Sequence, residues 1–173
     1  LVVGARTYSS SAGRTYIFYG GSAIDTSPSS ADVTITGEAS SSFGAYLVAD
    51  TDFNADGKND LVVGSWGYTT DTGRAYIFYN DGSIPTTAAT ADIIITGAAT
   101  SDYFGIALAT GDLNADGRSD LAVGANGASK TYVYYNDGSI PTTAATADIT
   151  ITGGGSDAFG TALATGDMNT DGE

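Results

Sequence analysis

The sequence predicts an all-β fold built from antiparallel four-stranded β-propeller blades, and three observations predict it. The first is a 60-residue period: Leu1-Val2-Val3-Gly4 returns as Leu61-Val62-Val63-Gly64 and as Leu121-Ala122-Val123-Gly124. A repeat of this length is one supersecondary unit that needs neighbours to bury its faces. The second is composition within the period, where segments of four to eight residues rich in Val, Ile, Thr, Tyr and Phe are bounded by Gly, Asn, Asp and Ser. The third is the lack of any window with a sustained i, i+3, i+4, i+7 apolar pattern, which leaves no candidate for a long helix.

Each element of the unit follows in order. After the Leu-Val-Val-Gly strand comes Tyr16-Ile17-Phe18-Tyr19, repeated as Tyr76-Ile77-Phe78-Tyr79 and Tyr132-Val133-Tyr134-Tyr135. These strands are apolar on both faces and therefore need cover from two sides, as in stacked sheets. Asp32-Val33-Thr34-Ile35-Thr36-Gly37 is the next strand, with copies at 92–97 and 148–153, and a Phe-Gly pair opens the last one at Phe43, Phe104 and Phe159. Asn80-Asp81-Gly82 and Asn136-Asp137-Gly138 are expected to form hairpin turns, since Asn and Gly tolerate positive φ. Residues 1–173 thus read as a single array of about three blades, whose first blade lacks its Phe-Gly strand and whose last Phe-Gly strand lies at the C-terminus. Radial stacking of such units gives a propeller, and linear stacking without closure is the alternative.

Composition removes several classes of function. The chain carries 20 Asp+Glu against 6 Lys+Arg, a net charge of −14, with no His and no Cys. Disulfides, thiolate metal sites, cysteine nucleophiles and His-dependent triads are excluded. The charge argues against nucleic acid and anionic membrane as partners, because both are bound through Lys and Arg. No apolar run reaches the roughly 18 residues of a membrane-spanning helix. No basic-then-apolar leader is present, and a start at Leu1 is expected of a processed product, a fragment or the ordered part of a longer chain. An acidic chain of carboxylates without imidazole points to hard cations.

Those carboxylates are concentrated in one loop type. Asp52-Phe53-Asn54-Ala55-Asp56-Gly57-Lys58-Asn59-Asp60 recurs as Asp112-Leu113-Asn114-Ala115-Asp116-Gly117-Arg118-Ser119-Asp120, and a third copy contains Asp167, Asn169 and Asp171. Oxygen-bearing side chains at positions 1, 3, 5 and 9, a glycine at 6 and the backbone carbonyl of Lys58 or Arg118 at 7 make a shell suited to Ca²⁺. Mg²⁺ suits it less, because it demands tighter octahedral geometry. The twelfth position is Val63 or Val123, so the loop is not an EF-hand. Polar turns alone would not repeat this pattern in register, nor crowd like charges that repel without a cation.

At these residues the chain resembles the FG-GAP repeats of integrin α-chain β-propellers and related extracellular bacterial proteins. The Phe-Gly pairs match the FG, the acidic loops match the family's calcium loop, and Val-Gly-Ala matches the start of its GAP. The resemblance implies that Asp52, Asn54, Asp56, Asp60, Asp112, Asn114, Asp116 and Asp120 are calcium ligands, with an incomplete third set at Asp167, Asn169 and Asp171. It further implies a non-catalytic, calcium-binding structural or adhesion module, extracellular or on the cell surface. Proline is missing from the GAP element, where Arg6, Trp66 and Asn126 stand instead, and the first Phe-Gly segment has one extra residue before Asp52. Propellers of this family usually have seven blades.

Each end of the chain carries what the other lacks, so one expectation is self-association as a homo-oligomer or head-to-tail fibre by strand complementation. The other is a longer parent continuing past Glu173. The alternative function is a glycan-binding propeller lectin, for which Trp66 beside Tyr68 is the candidate stacking residue, although a lone loop Trp is more often a packing residue. A protein ligand is equally open. Arg14 and Arg74 are expected to pair with carboxylates of the repeats, and the Thr-Thr-Ala-Ala-Thr stretches at 86–90 and 142–146 to form solvated loops. No Asn-x-Ser/Thr sequon occurs. No carboxylate pair stands apart from the loops as a glycosidase would need.

Overall fold

The computed structural model describes residues 1–21, 27–155 and 157–166. Three antiparallel sheets form. The first holds β1 (Val2–Ala5), β2 (Arg14–Ile17) and β3 (Val33–Thr36). The second is a meander of β4 (Tyr46–Thr51), β5 (Asp60–Ser65), β6 (Arg74–Phe78) and β7 (Ile93–Thr96). The third repeats it as β8 (Phe104–Gly111), β9 (Asp120–Ala125), β10 (Lys130–Tyr134) and β11 (Ile149–Thr152). This is the blade architecture the sequence predicts. Among the described residues the three sheets do not close a ring.

Alternation along the central strands explains how the sheets stack. A strand sends successive side chains to opposite faces. Leu61 and Val63 of β5, with Tyr76 and Phe78 of β6, pack against Ile17 and Ile35 of the first sheet, with Phe43, at the start of the segment leading to β4, between them. The intervening Val62, Ala75 and Ile77 pack with Phe104, Leu121, Val123 and Tyr134 from the third. Both faces of the middle blade are therefore core, as two-sided apolar strands require. Burying an aromatic or branched side chain of this kind contributes about 1.5–3 kcal/mol.

The Phe-Gly pairs lock successive blades. Phe43 is fully buried and meets Tyr76 and Phe78 edge to face, with ring centroids 5.4 and 6.2 Å apart. Phe104 meets Tyr134 edge to face at 6.4 Å and Tyr132 at a 55° tilt, 5.6 Å apart. The glycine that follows is required on two counts: Gly105 has φ +87°, and its carbonyl occupies the space a Cβ on Gly64 would need. Gly44 and Gly4 meet in the same way one repeat earlier.

Three local expectations are corrected. Asn80-Asp81-Gly82 is a bend within the longer 79–92 connection between β6 and β7 rather than a tight hairpin. The Thr-Thr-Ala-Ala-Thr stretches are not free solvated loops. Ala88 is fully buried, and Thr36 N–H donates to the Thr86 carbonyl, so this turn clasps the outer strand of the preceding blade. Thr142 and Thr96 repeat the clasp. The arginines diverge as well. Both donate to a threonine of the adjacent strand and lie over a tyrosine ring, but only Arg74 pairs with a carboxylate, Glu38, at 2.8 Å. The middle-blade arginine gains a carboxylate because Glu38 leaves the first blade beside it, where Tyr76 also donates to Glu38.

Burial raises the pKa of the phenols of Tyr76 and Tyr134 well above their ordinary value, aided in Tyr76 by Glu38 and in Tyr134 by Tyr132 and Asp148. A group held protonated in the fold stabilises it below its unfolded pKa, about 10 for tyrosine, and that contribution is lost as pH rises toward the folded value. Tyr134 occupies the place Phe78 takes in the middle blade, and its buried hydroxyl has no partner. Tyr134→Phe is therefore expected to melt at the same or a higher temperature at neutral pH and to lose less stability above about pH 10. Thermal unfolding at pH 7 and pH 10.5 checks this, and a markedly lower melting point at pH 7 would refute it.

Candidate metal centre

The acidic loops join the first, edge strand of a sheet to the second, running from β4 to β5 and from β8 to β9. Their curl is set by side chains accepting main-chain N–H groups. The Asp52 carboxylate accepts from Asp56 N–H at 3.2 Å and Gly57 N–H at 2.8 Å, and the Asn54 amide oxygen accepts the same Asp56 N–H at 3.1 Å. Sharing that donor brings the oxygens of positions 1 and 3 together. The Asp56 carboxylate turns to Lys58 N–H at 2.9 Å. Asp112, Asn114 and Asp116 repeat the arrangement around Asp116, Gly117 and Arg118. Ala55 and Ala115 take left-handed φ values of 58° and 61°, and Gly57 and Gly117 one of 84° each, which closes the turn.

Position 9 behaves differently. Asp60 and Asp120 are buried, at 1% and 0% exposure, while positions 3 and 5 of both loops are solvent-exposed. Asp60 accepts Phe53 N–H and Asn80 N–H, both at 2.8 Å. Asp120 accepts Leu113 N–H and Asn136 N–H at the same distance. Each of these carboxylates pins the acidic loop to the bend that follows β6 or β10. The basic side chains reinforce the link, with Lys58 Nζ donating to the Asn80 carbonyl and Arg118 Nη1 to the Asn136 carbonyl. Lys58 also lies 3.5 Å from Asp56.

The structure thus brings together Asp52, Asn54 and Asp56, and likewise Asp112, Asn114 and Asp116, and sets Asp60 and Asp120 behind them as anchors. Among the described residues no three His, Cys, Asp or Glu side chains converge on a common point. Asp167, Asn169 and Asp171 lie outside the described residues. The chemistry of the donor set fits a hard cation: carboxylate, amide and carbonyl oxygens and nothing softer. A carboxylate oxygen that accepts one N–H retains lone-pair capacity for an ion.

Two residues outside the motif matter here. The Asn136 side-chain amide donates to the Phe53 carbonyl at 2.7 Å, tying the third blade to the loop of the second. Its near-verbatim repeat context gave it no distinguishing signal. A cleft of about 850 Å³ opens beside this contact, lined by Asp52, Tyr79, Arg118, Asn136 and Ile140 among others. Trp66, on the connection after β5, packs edge to face on Tyr103 with centroids 5.7 Å apart. That contact is a packing role.

Residues 52–123, covering the first acidic loop, the strands between the loops and the second acidic loop, match the FG-GAP-like repeat family. Over that span the chain is similar to FG-GAP-like repeats. Over 100 residues it is 40% identical to phosphatidylinositol-glycan-specific phospholipase D of Rattus norvegicus, covering 53% of this chain and 12% of that protein. Integrin alpha-IIb of Mus musculus is 38% identical over 98 residues, 51% of this chain and 9% of that protein. Integrin alpha-PS2 of Drosophila melanogaster is 37% identical over 100 residues, 53% of this chain and 7% of that protein. The matched stretches span only 7–12% of the length of these relatives. Among the described residues no helix is long and apolar enough to cross a membrane.

The anchor role separates position 9 from the others without any ion present. Asp60→Ala leaves two main-chain N–H groups near the core unpaired, and a loss of about 2–4 kcal/mol is expected. Asp56→Asn, on the exposed rim, is expected to change stability by less than about 0.5 kcal/mol. Urea unfolding in EDTA measures both, and equal losses would remove the distinction.

Proposed function

We propose that the chain is a non-catalytic, calcium-binding module of the structural or adhesion type, working outside the cell or at its surface. The observation that carries this reading is the duplicated loop in which Asp52, Asn54 and Asp56, and Asp112, Asn114 and Asp116, are drawn together by shared N–H donors. Ca²⁺ would be held by these residues with the Lys58 or Arg118 carbonyl, and bound there it supplies charge neutralisation rather than chemistry. Asp60 and Asp120 act through position, fixing the loop to the blade; a ligand role for them would use the lone pairs their backbone bonds leave free. The similarity to integrin α chains supports an adhesion-type setting, where extracellular calcium near millimolar keeps weak sites filled.

The outer blades support self-association. Ile149 and Ile151 of β11, with Leu113 and Phe159, are exposed on the third blade, as are Leu1 and Val3 on the first. In the middle blade the same kinds of position are core, so further blades supplied by other copies of the chain would cover them. A second reading, glycan binding, is favoured only by the cleft between the second and third blades, whose lining mixes carboxylate, amide, hydroxyl and aromatic groups. A glycan array without hits would dispose of it.

Ion binding to the folded form alone stabilises it by mass action. At a calcium concentration a hundredfold above the dissociation constant, chelation with EDTA is expected to lower the melting temperature by about 5–10 °C. In the Asp52→Asn/Asp112→Asn double variant that shift should largely vanish. Identical melting curves for the unaltered chain with and without EDTA would sink the calcium reading.

A further inference from the structure

The side-chain oxygens of the first acidic loop are engaged, almost all of them, by its own main chain. Both Asp52 oxygens accept N–H groups, from Asp56 and Gly57, and the Asn54 amide oxygen shares the Asp56 donor. Asp56 Oδ1 accepts the Lys58 N–H at 2.9 Å. Asp56 Oδ2 is the one side-chain oxygen of positions 1, 3 and 5 in this loop without a main-chain donor. Facing it, 3.5 Å away, is the Lys58 ammonium. Lys58 thus holds both oxygens of one carboxylate, the first through its N–H and the second through its charge. The same ammonium donates to the Asn80 carbonyl at 3.2 Å, so the lysine spans from the acidic loop to the bend after β6.

The second loop is held differently. Asp116 Oδ1 accepts the Arg118 N–H at 2.9 Å, but its Oδ2 takes the Asn114 side-chain amide at 3.1 Å. Arg118 sends Nη1 to the Asn136 carbonyl, and among the described residues it makes no ion pair. The chemistry of the two basic residues differs in the same sense. An ammonium is a compact point charge, whereas a guanidinium is a broad planar fork.

We propose, on the calcium reading given above, that Lys58 is a tethered counter-cation of the first loop, steadying the empty site and competing with Ca²⁺ for Asp56. In the empty loop the Asp52 and Asp56 carboxylates lie on one short turn, and the ammonium offsets part of their repulsion. An entering ion needs Asp56 Oδ2, the oxygen with the most lone-pair capacity left. It must displace the ammonium or share the carboxylate with it against their mutual repulsion. The displaced lysine keeps the Asn80 carbonyl as a partner. Because the pair is half-exposed, salt screens it, and the competition is strongest in dilute buffer. Calcium occupancy of the first loop is therefore graded by ionic strength through a residue whose counterpart, Arg118, leaves Asp116 alone.

Calorimetric titration with Ca²⁺ tests this in an Asp112→Asn/Asp116→Asn background, which disables the second loop. Lys58→Met keeps the aliphatic stem and the position-7 carbonyl and removes the charge. At low salt it is expected to tighten calcium binding about threefold or more. The gain should fade toward about 1 M salt, where the Debye length is about 3 Å. Lys130→Met removes a charge at the other end of β9 and β10 from the loop, and should leave the affinity within about twofold. In EDTA, Lys58→Met is expected to melt below the background, because the empty loop has lost its counter-charge. A residue that merely supported the loop would lower the melting temperature without tightening the ion; a competitor gives the two effects opposite signs. Unchanged or weaker calcium binding, a gain matched by Lys130→Met, or a melt in EDTA no lower than the background's would overturn the proposal. So would a background that binds no calcium, and the calcium reading itself would fall only if the unaltered chain also bound none.

Discussion

The architecture depends on central strands that are apolar on both faces. β5 and β6 cannot lie against solvent on either side, so the middle sheet must be sandwiched between neighbours. Every other inter-blade feature works within that demand. The buried Phe43 and Phe104 wedge between sheets, and the glycine after each lets two main chains approach closely. The Thr86 and Thr142 carbonyls then clasp the outer strand of the blade before. Hydrophobic burial supplies the drive, while these polar and steric contacts select the register in which sheets meet.

The acidic loops inherit their position from this stack. A loop rich in like charges has no reason to be compact by itself, yet each is held at its root by a buried carboxylate that reaches two strand ends. The exposed positions 3 and 5 bond only within their own loop, mainly to its main-chain N–H groups, whereas the buried position 9 also reaches the bend after the next strand. Curling the loop and anchoring it to the blade are thus divided among residues of one motif. Asn136 extends the same logic between blades by bonding to the Phe53 carbonyl, so a loop in one blade is braced by the next.

Much of the fold was legible because it repeats. Three copies of a strand pattern in register leave few alternatives, and the two-sided apolarity of Tyr76-Ile77-Phe78 already demanded stacked sheets. The misreadings came where local chemistry permits two outcomes. Asn80-Asp81-Gly82 has the composition of a hairpin turn, but the partner strand lies farther along the chain, so it bends without pairing. Thr86 to Thr90 looks solvated residue by residue, yet Ala88 is covered by the preceding blade. Arg14 and Arg74 occupy equivalent sequence positions and differ only because Glu38 has no equivalent beside the first blade.

The sequence by itself determined the strand content, the repeat, the oxygen-only character of the loops and the exclusion of thiol and imidazole chemistry, since all of these follow from residue identity and spacing. Tertiary structure decided which of the repeated Asp residues are exposed and which are buried. It also decided that Trp66 spends its ring on Tyr103, and that the one extra residue before Asp52 becomes a bulge rather than a longer loop. The physical reason is that a side chain's role depends on which donors and surfaces surround it. Those neighbours come from other strands and other blades, at distances along the chain that no local pattern records.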